Sequence, residues 1–299
     1  MDEIDLRLCL KLLENSRVVY RKLADEVDLS VNAVHSRIKA LIDKGIIGGF
    51  QANISSTALN GSLRLLIHGQ STSDSLEDIK EELSSDENTF RMVSTSDHYL
   101  YIHGLLKDIS EMGKYIETIP DKTGINDLNL FIPDVRKENL SNSFTFTKTD
   151  YQIIRSLHND SRKSFSDVAD ELKLSTKTIR RRVNNLEREG GIDYTIKWYP
   201  VYSDDFIGIL HGETKACNRG KVLSRIKKEH YPHVFDLEKA SNHPNKVLFN
   251  IWATNLSKLQ ELERYFIEHE NFKFIKIKMF YDIEYFETWR DQLIKTKGR

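Results

Sequence analysis

The chain has 299 residues, of which 39% are hydrophobic and 30% are charged, a balance typical of a globular protein with two or more domains. Its apolar runs are too short to cross a bilayer, and its acidic first residues lack the apolar stretch of a secretory signal. The two cysteines, Cys9 and Cys217, are far apart, which argues against a disulfide framework or a cysteine metal site. We therefore expect a cytoplasmic protein.

The net charge of −1 conceals a division between the two halves of the chain. Residues 1–146 carry a net charge of −7 and residues 147–299 carry +6. Such differences often arise from solvated helix faces alone. A surplus of cations can also indicate contact with a phosphate backbone, and in this chain the surplus lies in the second half.

One pattern occurs twice, at a constant offset of 145 residues. The stretch from Asp5 to Ile47 aligns without a gap with the stretch from Asp150 to Ile192. In the first copy, apolar spacing from Ile4 to Leu12 predicts one helix, and Tyr20 to Val27 predicts a second. A third helix is predicted to begin after Ser30 as its N-cap and to end near Gly45. This order is that of a helix-turn-helix unit.

In each third helix, apolar residues at helical spacing face the core and leave a polar outer face. In the second copy that face is strongly basic, and arginine and asparagine can read base edges while lysine and threonine contact phosphates. The sequence thus predicts a double-stranded DNA interface on both third helices. The predicted DNA-contacting residues are Ser30, Asn32, His35, Ser36, Arg37 and Lys39 in the first copy, and Ser175, Thr176, Lys177, Arg180, Arg181, Arg182 and Asn184 in the second. The alternative is a basic solvated helix in an interaction domain that does not touch DNA.

Each helix-turn-helix unit is followed by a strand-helix-strand-strand-helix-strand pattern, which is ferredoxin-like. The first set is predicted at residues 62–69, 75–83, 89–95, 99–106, 109–119 and 126–132. The second is predicted at residues 206–214, 221–230, 234–239, 246–253, 256–269 and 272–281. The fold class is therefore α+β, with two winged helix-turn-helix domains that each precede a ferredoxin-like βαββαβ domain.

The predicted domain boundaries follow from this order. They are a first winged helix-turn-helix at 1–54, a first ferredoxin-like domain at 55–133, a linker at 134–146, a second winged helix-turn-helix at 147–203, a second ferredoxin-like domain at 204–282, and a basic C-terminal helix or tail at 283–299. The linker is rich in asparagine and serine, which favours a flexible connection.

The helix-turn-helix motifs resemble those of the Lrp/AsnC, or feast/famine, family of transcriptional regulators. The resemblance rests on Leu29-Ser30, Val34, Arg37-Ile38, Leu41 and Gly45-Ile46-Ile47, and on Leu174-Ser175, Ile179, Arg182-Val183, Leu186 and Gly190. It implies a DNA-binding transcriptional regulator, here as a tandem fusion of two family units. Family members pair through the ferredoxin-like unit, so we expect the two units to pair through their sheets, either within the chain or in a homodimer.

The family's Gly-x-x-Asp turn, expected near Ser96 and near Asn242, is absent from both ferredoxin-like units. Without that glycine a backbone cannot approach a small ligand as closely. The sequence thus predicts that leucine, glutamine and lysine do not bind, and it leaves a small-molecule effector without support.

Two histidines occupy matching places on the first strand of the two ferredoxin-like units. If the sheets face one another, His68 and His211 could approach each other, as a hydrogen-bonded pair or as ligands of a metal or tetrapyrrole. No second ligand lies at helical or alternating spacing from either residue, so no metal and no cofactor are predicted. The alternative function is a siroheme decarboxylase-like tetrapyrrole enzyme on the same architecture, although the arginine and tyrosine cluster of that family is replaced here by Lys239-Ala240-Ser241.

Overall fold

The computed structural model describes residues 1–59, 61–134, 144–215 and 219–299. Its two helix-turn-helix units follow the repeat, and each ends in a strand. The first unit comprises α1 (Glu3–Glu14), α2 (Tyr20–Val27), α3 (Val31–Asp43) and β1 (Ile47–Ile54), and the second comprises α6 (Lys148–Leu157), α7 (Phe165–Leu172), α8 (Thr176–Arg188) and β6 (Ile192–Trp198). None of the helices within the described ranges has the length and apolar character needed to span a membrane.

Each helix-turn-helix unit leads into a ferredoxin-like unit. The first contains β2 (Leu63–Gln70), α4 (Leu76–Ser84), β3 (Thr89–Thr95), β4 (Tyr99–Leu106), α5 (Met112–Thr123) and β5 (Asn129–Phe131), and the second contains β7 (Phe206–Thr214), α9 (Arg219–Glu229), β8 (Val234–Lys239), β9 (Lys246–Ala253), α10 (Leu256–Glu268) and β10 (Phe272–Tyr285). A last helix, α11 (Trp289–Lys297), closes the chain. In each unit the fourth and third strands flank the first, and the second lies beside the third, so the strand order is 4-1-3-2. This order confirms the predicted α+β class.

Two segments differ from the sequence prediction. The last strand runs to Tyr285, four residues beyond its predicted end and past the predicted domain boundary at 282. Its extra residues are held because Asp282 to Tyr285 pair with β3 of the first unit. Strand β5 covers only Asn129–Phe131, so it is shorter than predicted. Most of the predicted linker, residues 135–143, lies outside the described residues.

The two ferredoxin-like units share one sheet that folds back on itself. Strand β10 pairs with β7 of its own unit through its first half and with β3 of the other unit through its second half, giving an eight-stranded order. The two edge strands of this sheet are also linked, because Pro133 after β5 bridges to Ala240 after β8. Apolar residues from both units form one buried cluster between the facing halves of the sheet. It contains Leu66, Val93, Tyr101 and Phe131 from the first unit and Ile209, Ala240, Leu248 and Ile283 from the second.

The helix-turn-helix units are also joined to each other. Strands β1 and β6 pair antiparallel, from Ile47 opposite Trp198 to Ile54 opposite Ile192. Because of this pairing, Ile196 and Trp198 from β6 enter the core of the first helix-turn-helix. Conversely, Ala52 and Ile54 from β1 enter the core of the second. Each DNA-binding unit is therefore completed by a strand of the other.

A reciprocal set of polar contacts defines a pseudo-two-fold axis between the units. The hydroxyls of Ser16 and Ser161, which are 145 residues apart, lie 2.6 Å from each other and are buried. Arg17 donates to the carbonyl oxygen of Lys163 at 3.1 Å, and Arg162 donates to that of Val18 at 3.0 Å. Since residues 17 and 162, like 18 and 163, are matching positions of the repeat, the same contact is made twice in opposite directions.

The same two arginines stack on aromatic rings across the axis. The Arg17 guanidinium lies 4.6 Å from the centre of the Phe165 ring, and the Arg162 guanidinium lies 4.5 Å from that of Tyr20. Phe165 and Tyr20 again hold matching places, at the start of α7 and of α2. Guanidinium stacking of this kind adds about 0.5–2 kcal/mol per contact. The reciprocal clamp, defined as Ser16, Arg17, Ser161 and Arg162, therefore holds the two units in one relative orientation.

Because each unit already pairs with the other inside one chain, we expect a monomer at micromolar concentration. Tethering raises the local concentration of one unit near the other to the millimolar range. Light scattering should then give a mass near 34.8 kDa. A stable mass of twice that value would contradict the expectation and would show that a second molecule pairs with the first.

Candidate functional site

The third helix of each helix-turn-helix unit separates a buried face from an exposed one. In α3, Val34, Ile38 and Leu41 are buried. Ser30 accepts a hydrogen bond from the backbone of Ala33, so it caps the helix as its sequence position predicts. Four of the predicted DNA-contacting residues of α3 are exposed. They are Asn32, His35, Ser36 and Lys39.

Helix α8 has the same division and a different outer face. Ile179, Val183 and Leu186 are buried, and Ser175 caps the helix through the backbone of Thr178. Five of the predicted residues of α8 are exposed, namely Thr176, Lys177, Arg180, Arg181 and Asn184. Residues 176–188 carry a net charge of +4, against +1 for the matching residues 31–43 of α3.

The outer face of α8 forms a shallow basic depression. It is lined by Lys177, Arg180, Arg181, Arg182, Asn184, Asn185 and Arg188. Asn185 and Arg188 are not among the DNA-contacting residues predicted from sequence. Asn185 is half-buried beside the basic residues, and Arg188 donates to its side-chain oxygen at 2.7 Å.

Two of the predicted DNA-contacting residues, Arg37 and Arg182, form ion pairs within the fold. The Arg37 guanidinium lies 2.7 Å from a carboxylate oxygen of Asp2 and 2.8 Å from one of Asp5. In the second copy, the guanidinium of Arg182 lies 3.6 Å from Asp150. Each arginine therefore contacts the first helix of its own unit. Their contact with DNA stays a prediction, because an ion pair within the fold does not test it.

Asp5 and Asp150 each have two roles. Asp5 accepts from the backbone N–H of Asp2 and so completes the capping box of α1, while its other oxygen binds Arg37. Asp150 does the same for α6 with Thr147 and Arg182. The start of the first helix is therefore tied directly to the middle of the third, which holds the outer face of the third helix in place.

The two histidines that are predicted to approach each other meet between the facing halves of the eight-stranded sheet. The ring centres of His68 and His211 are 5.2 Å apart, edge to face. His68 Nδ1 lies 2.7 Å from the hydroxyl of Tyr99, and His211 Nε2 lies 2.5 Å from that of Tyr101. Within the described ranges, no group of three or more His, Cys, Asp or Glu side chains is arranged to hold a metal ion.

The histidine pair is held in the neutral form. Burial, with the neighbouring His211 and Lys246 adding to the effect, lowers the pKa of His68 to about 3. Burial also lowers the pKa of His211 to about 4, with Lys278 and Lys276 adding to the effect. Both histidines therefore act at neutral pH as hydrogen-bonding groups without charge.

This geometry predicts acid destabilisation. Since unfolded histidine has a pKa of about 6.5 and the folded values are lower, stability is complete above pH 6.5 and declines as the pH falls toward 4. Each histidine can contribute up to about 1.4 kcal/mol per pH unit in that range. His68→Gln should flatten the fall in melting temperature between pH 7 and pH 5. His35→Gln, at an exposed site on α3, is the control and should leave the slope unchanged; equal slopes for all three proteins would contradict the prediction.

Solved structures similar to the whole chain share its fold. Siroheme decarboxylase NirDL aligns over 99% of this chain and 98% of its own, with a TM-score of 0.61 and 12% sequence identity. The same enzyme in complex with an iron-uroporphyrin III analogue aligns over 97% of this chain and 95% of its own, with a TM-score of 0.63 and 12% identity. At this identity the likeness shows the fold and not the activity.

The helix-turn-helix units match models of known families, and sequence relatives are regulators. Residues 146–187 match an AsnC-type helix-turn-helix domain, and residues 1–47 match a winged helix-turn-helix DNA-binding model. The HTH-type transcriptional regulator Ptr1 of Methanocaldococcus jannaschii is 32% identical over 120 residues, covering 39% of this chain and 79% of Ptr1. An HTH-type transcriptional regulator of Pyrococcus furiosus is 21% identical over 133 residues, covering 44% of this chain and 90% of the relative. The chain therefore belongs to the Lrp/AsnC family of transcriptional regulators.

Proposed function

We propose that this regulator binds double-stranded DNA in a sequence-specific manner with the third helices of both helix-turn-helix units, and that α8 contributes more of the affinity than α3. The observation that carries the proposal is the exposed basic face of α8. Lys177, Arg180 and Arg181 are exposed there, and no ion pair engages any of the three within the described residues. Uncompensated cations on a third helix are suited to phosphate and base contacts in a major groove.

The two outer faces differ in the contacts that they can make. Arg180, Arg181 and Asn184 on α8 can form bidentate hydrogen bonds with guanine and adenine edges. On α3, Asn32 can do the same with adenine, and Lys39 offers a phosphate contact. The second unit therefore supplies most of the electrostatic attraction, which agrees with its larger positive charge.

Removing two cations from α8 should weaken DNA binding strongly. We expect Arg180→Ala/Arg181→Ala to lower affinity and to flatten its dependence on salt by roughly one unit of slope per lost phosphate contact, as measured by gel shift or fluorescence anisotropy over a salt series. The matched control is Arg225→Ala/Arg264→Ala, which removes the same charge from exposed sites on α9 and α10.

The loss of DNA affinity in Asn32→Ala/Lys39→Ala should be smaller than in the α8 double variant, because α3 carries fewer cations. The proposal fails if the α8 double variant keeps both its affinity and its salt slope while its melting temperature is unchanged. It also fails if the control variant loses as much affinity as the α8 variant, since that result would indicate a general charge effect.

The pseudo-two-fold arrangement predicts the form of the DNA site. Two related units that read DNA across an axis favour inverted half-sites, and unlike outer faces favour half-sites that are not identical. Selection from a random DNA library should therefore yield an imperfect palindrome with half-sites about one helical turn apart, or a multiple of it. A direct repeat, or a single isolated half-site, would contradict the use of both units.

The alternative function, a tetrapyrrole enzyme, predicts a visible property of the protein. A bound tetrapyrrole absorbs visible light, whereas a DNA-binding protein without pigment does not. We expect the purified protein to be colourless and to gain no bound absorbance when incubated with siroheme and passed through a desalting column. A stoichiometric pigment would favour the enzyme. His68 and His211 are the residues that would be substituted to test whether they hold such a pigment.

A further inference from the structure

A cavity of about 240 Å³ opens between the two facing halves of the sheet. It contains the histidine pair described above, with Tyr99 beside it. Apolar contact is available from Phe131 of the first unit and from Val247, Leu248 and Phe274 of the second. The cavity lies away from the third helices, so DNA contact does not account for it. It is also distinct from the β3–β4 turn at Ser96, where the family's glycine is absent.

Three lysines line this cavity, all from the second unit. Lys278 is almost fully buried, with 3% of its side chain exposed, and forms an ion pair with Asp97. Its ammonium group also lies 4.3 Å from the centre of the Tyr99 ring. Lys246 donates to the side-chain oxygen of Asn129 at 3.2 Å. Lys276 is exposed on the same strand as Lys278, two residues earlier.

Among the described residues, Lys276 forms no ion pair, whereas Lys278 is paired with Asp97. Glu213 is the one carboxylate among the described residues that line the cavity. Its Oε1 lies 3.9 Å from Nζ of Lys273, a residue that does not line the cavity. Lys278 lowers the pKa of Lys276 by charge repulsion, with burial adding to the effect and Asp97 opposing it. An anion beside Lys276 would remove this repulsion, and its charge-assisted hydrogen bonds would be stronger than neutral ones.

The neutral histidines add directional hydrogen bonding. One nitrogen of each ring is engaged by a tyrosine hydroxyl, and in the described part of the chain the other nitrogen, Nε2 of His68 and Nδ1 of His211, makes no hydrogen bond. Polar groups of this kind, combined with an apolar wall, are typical of a small-molecule site. The cavity is smaller than the sites of drug-sized ligands, which occupy about 300–1,000 Å³.

We propose that this cavity binds a compact organic oxyanion, with its charged groups held by Lys246, Lys276 and Lys278 and its carbon skeleton against Phe131 and Leu248. Carboxylates and phosphates share the chemistry that the lysines recognise. Citrate and inorganic phosphate serve as probes that distinguish them. Because the carbon skeleton has apolar contacts in the cavity, citrate should bind more tightly than phosphate.

The test uses the full-length protein at pH 7.5 with ionic strength matched by sodium chloride. Citrate should raise the melting temperature to a plateau, and it should shift the side-chain NMR signals of His68 and His211 with the same dissociation constant. Lys276→Gln removes one charged contact at an exposed site, so it should weaken citrate binding by about tenfold. Lys228→Gln removes the same charge from the exposed face of α9 and should bind citrate as the unchanged protein does.

Three results would overturn the proposal. The first is no saturable effect of citrate or phosphate on either the melting temperature or the histidine signals. The second is an equal loss of binding in Lys276→Gln and Lys228→Gln, which would assign the effect to overall charge. The third is a tetrapyrrole bound in stoichiometric amount in the purified protein. None of these results depends on DNA binding, which the gel-shift assay measures separately.

Discussion

The reciprocal clamp formed by Ser16, Arg17, Ser161 and Arg162 is the contact on which the arrangement of the DNA-binding units depends. Each arginine donates to a carbonyl of the other unit and stacks on one of its rings. The hydroxyl pair at the centre is buried, and the Ser16 hydroxyl also donates to the carbonyl oxygen of Gln51 at 3.4 Å. Losing the Ser16 hydroxyl would therefore leave the Ser161 hydroxyl without a hydrogen-bond partner among the described residues. The pairing of β1 with β6 continues the same axis, so the spacing of the third helices is set by contacts within one chain.

The two copies share the ion pair that joins the third helix to the first, and they differ in the residues that face outward. The ion pair from Arg37 to Asp5 recurs as Arg182 to Asp150, and each carboxylate also caps its helix. These positions cannot change independently, because one substitution would disturb both a helix start and the third helix. The exposed positions carry no such constraint. They have accordingly diverged to give α8 three more units of positive charge than α3.

Local sequence patterns predicted most of the helices and strands, but they could not predict contacts between residues that are far apart in the sequence. Periodicity and caps placed α2, β3 and β4 at their observed bounds, because those signals lie within a few residues of each other. The extension of β10 to Tyr285 depends instead on pairing with β3, nearly 190 residues earlier. The partners of Arg37 and Arg182 were missed for the same reason. The approach of His68 and His211 was predictable because the repeat itself places them at matching positions.

Joining the two units in one chain allows an interface that two identical chains could not form. In a symmetric homodimer each side chain near the axis meets its own copy, so lysines there would face lysines and repel one another. Here Lys246, Lys276 and Lys278 come from the second unit and face Tyr99, Asn129 and Phe131 of the first. The first ferredoxin-like unit is acidic overall, with a net charge of −7 for residues 60–133, and the second carries +2 for residues 204–282. Fusion thus permits a cationic cavity at a position where exact symmetry would oppose one.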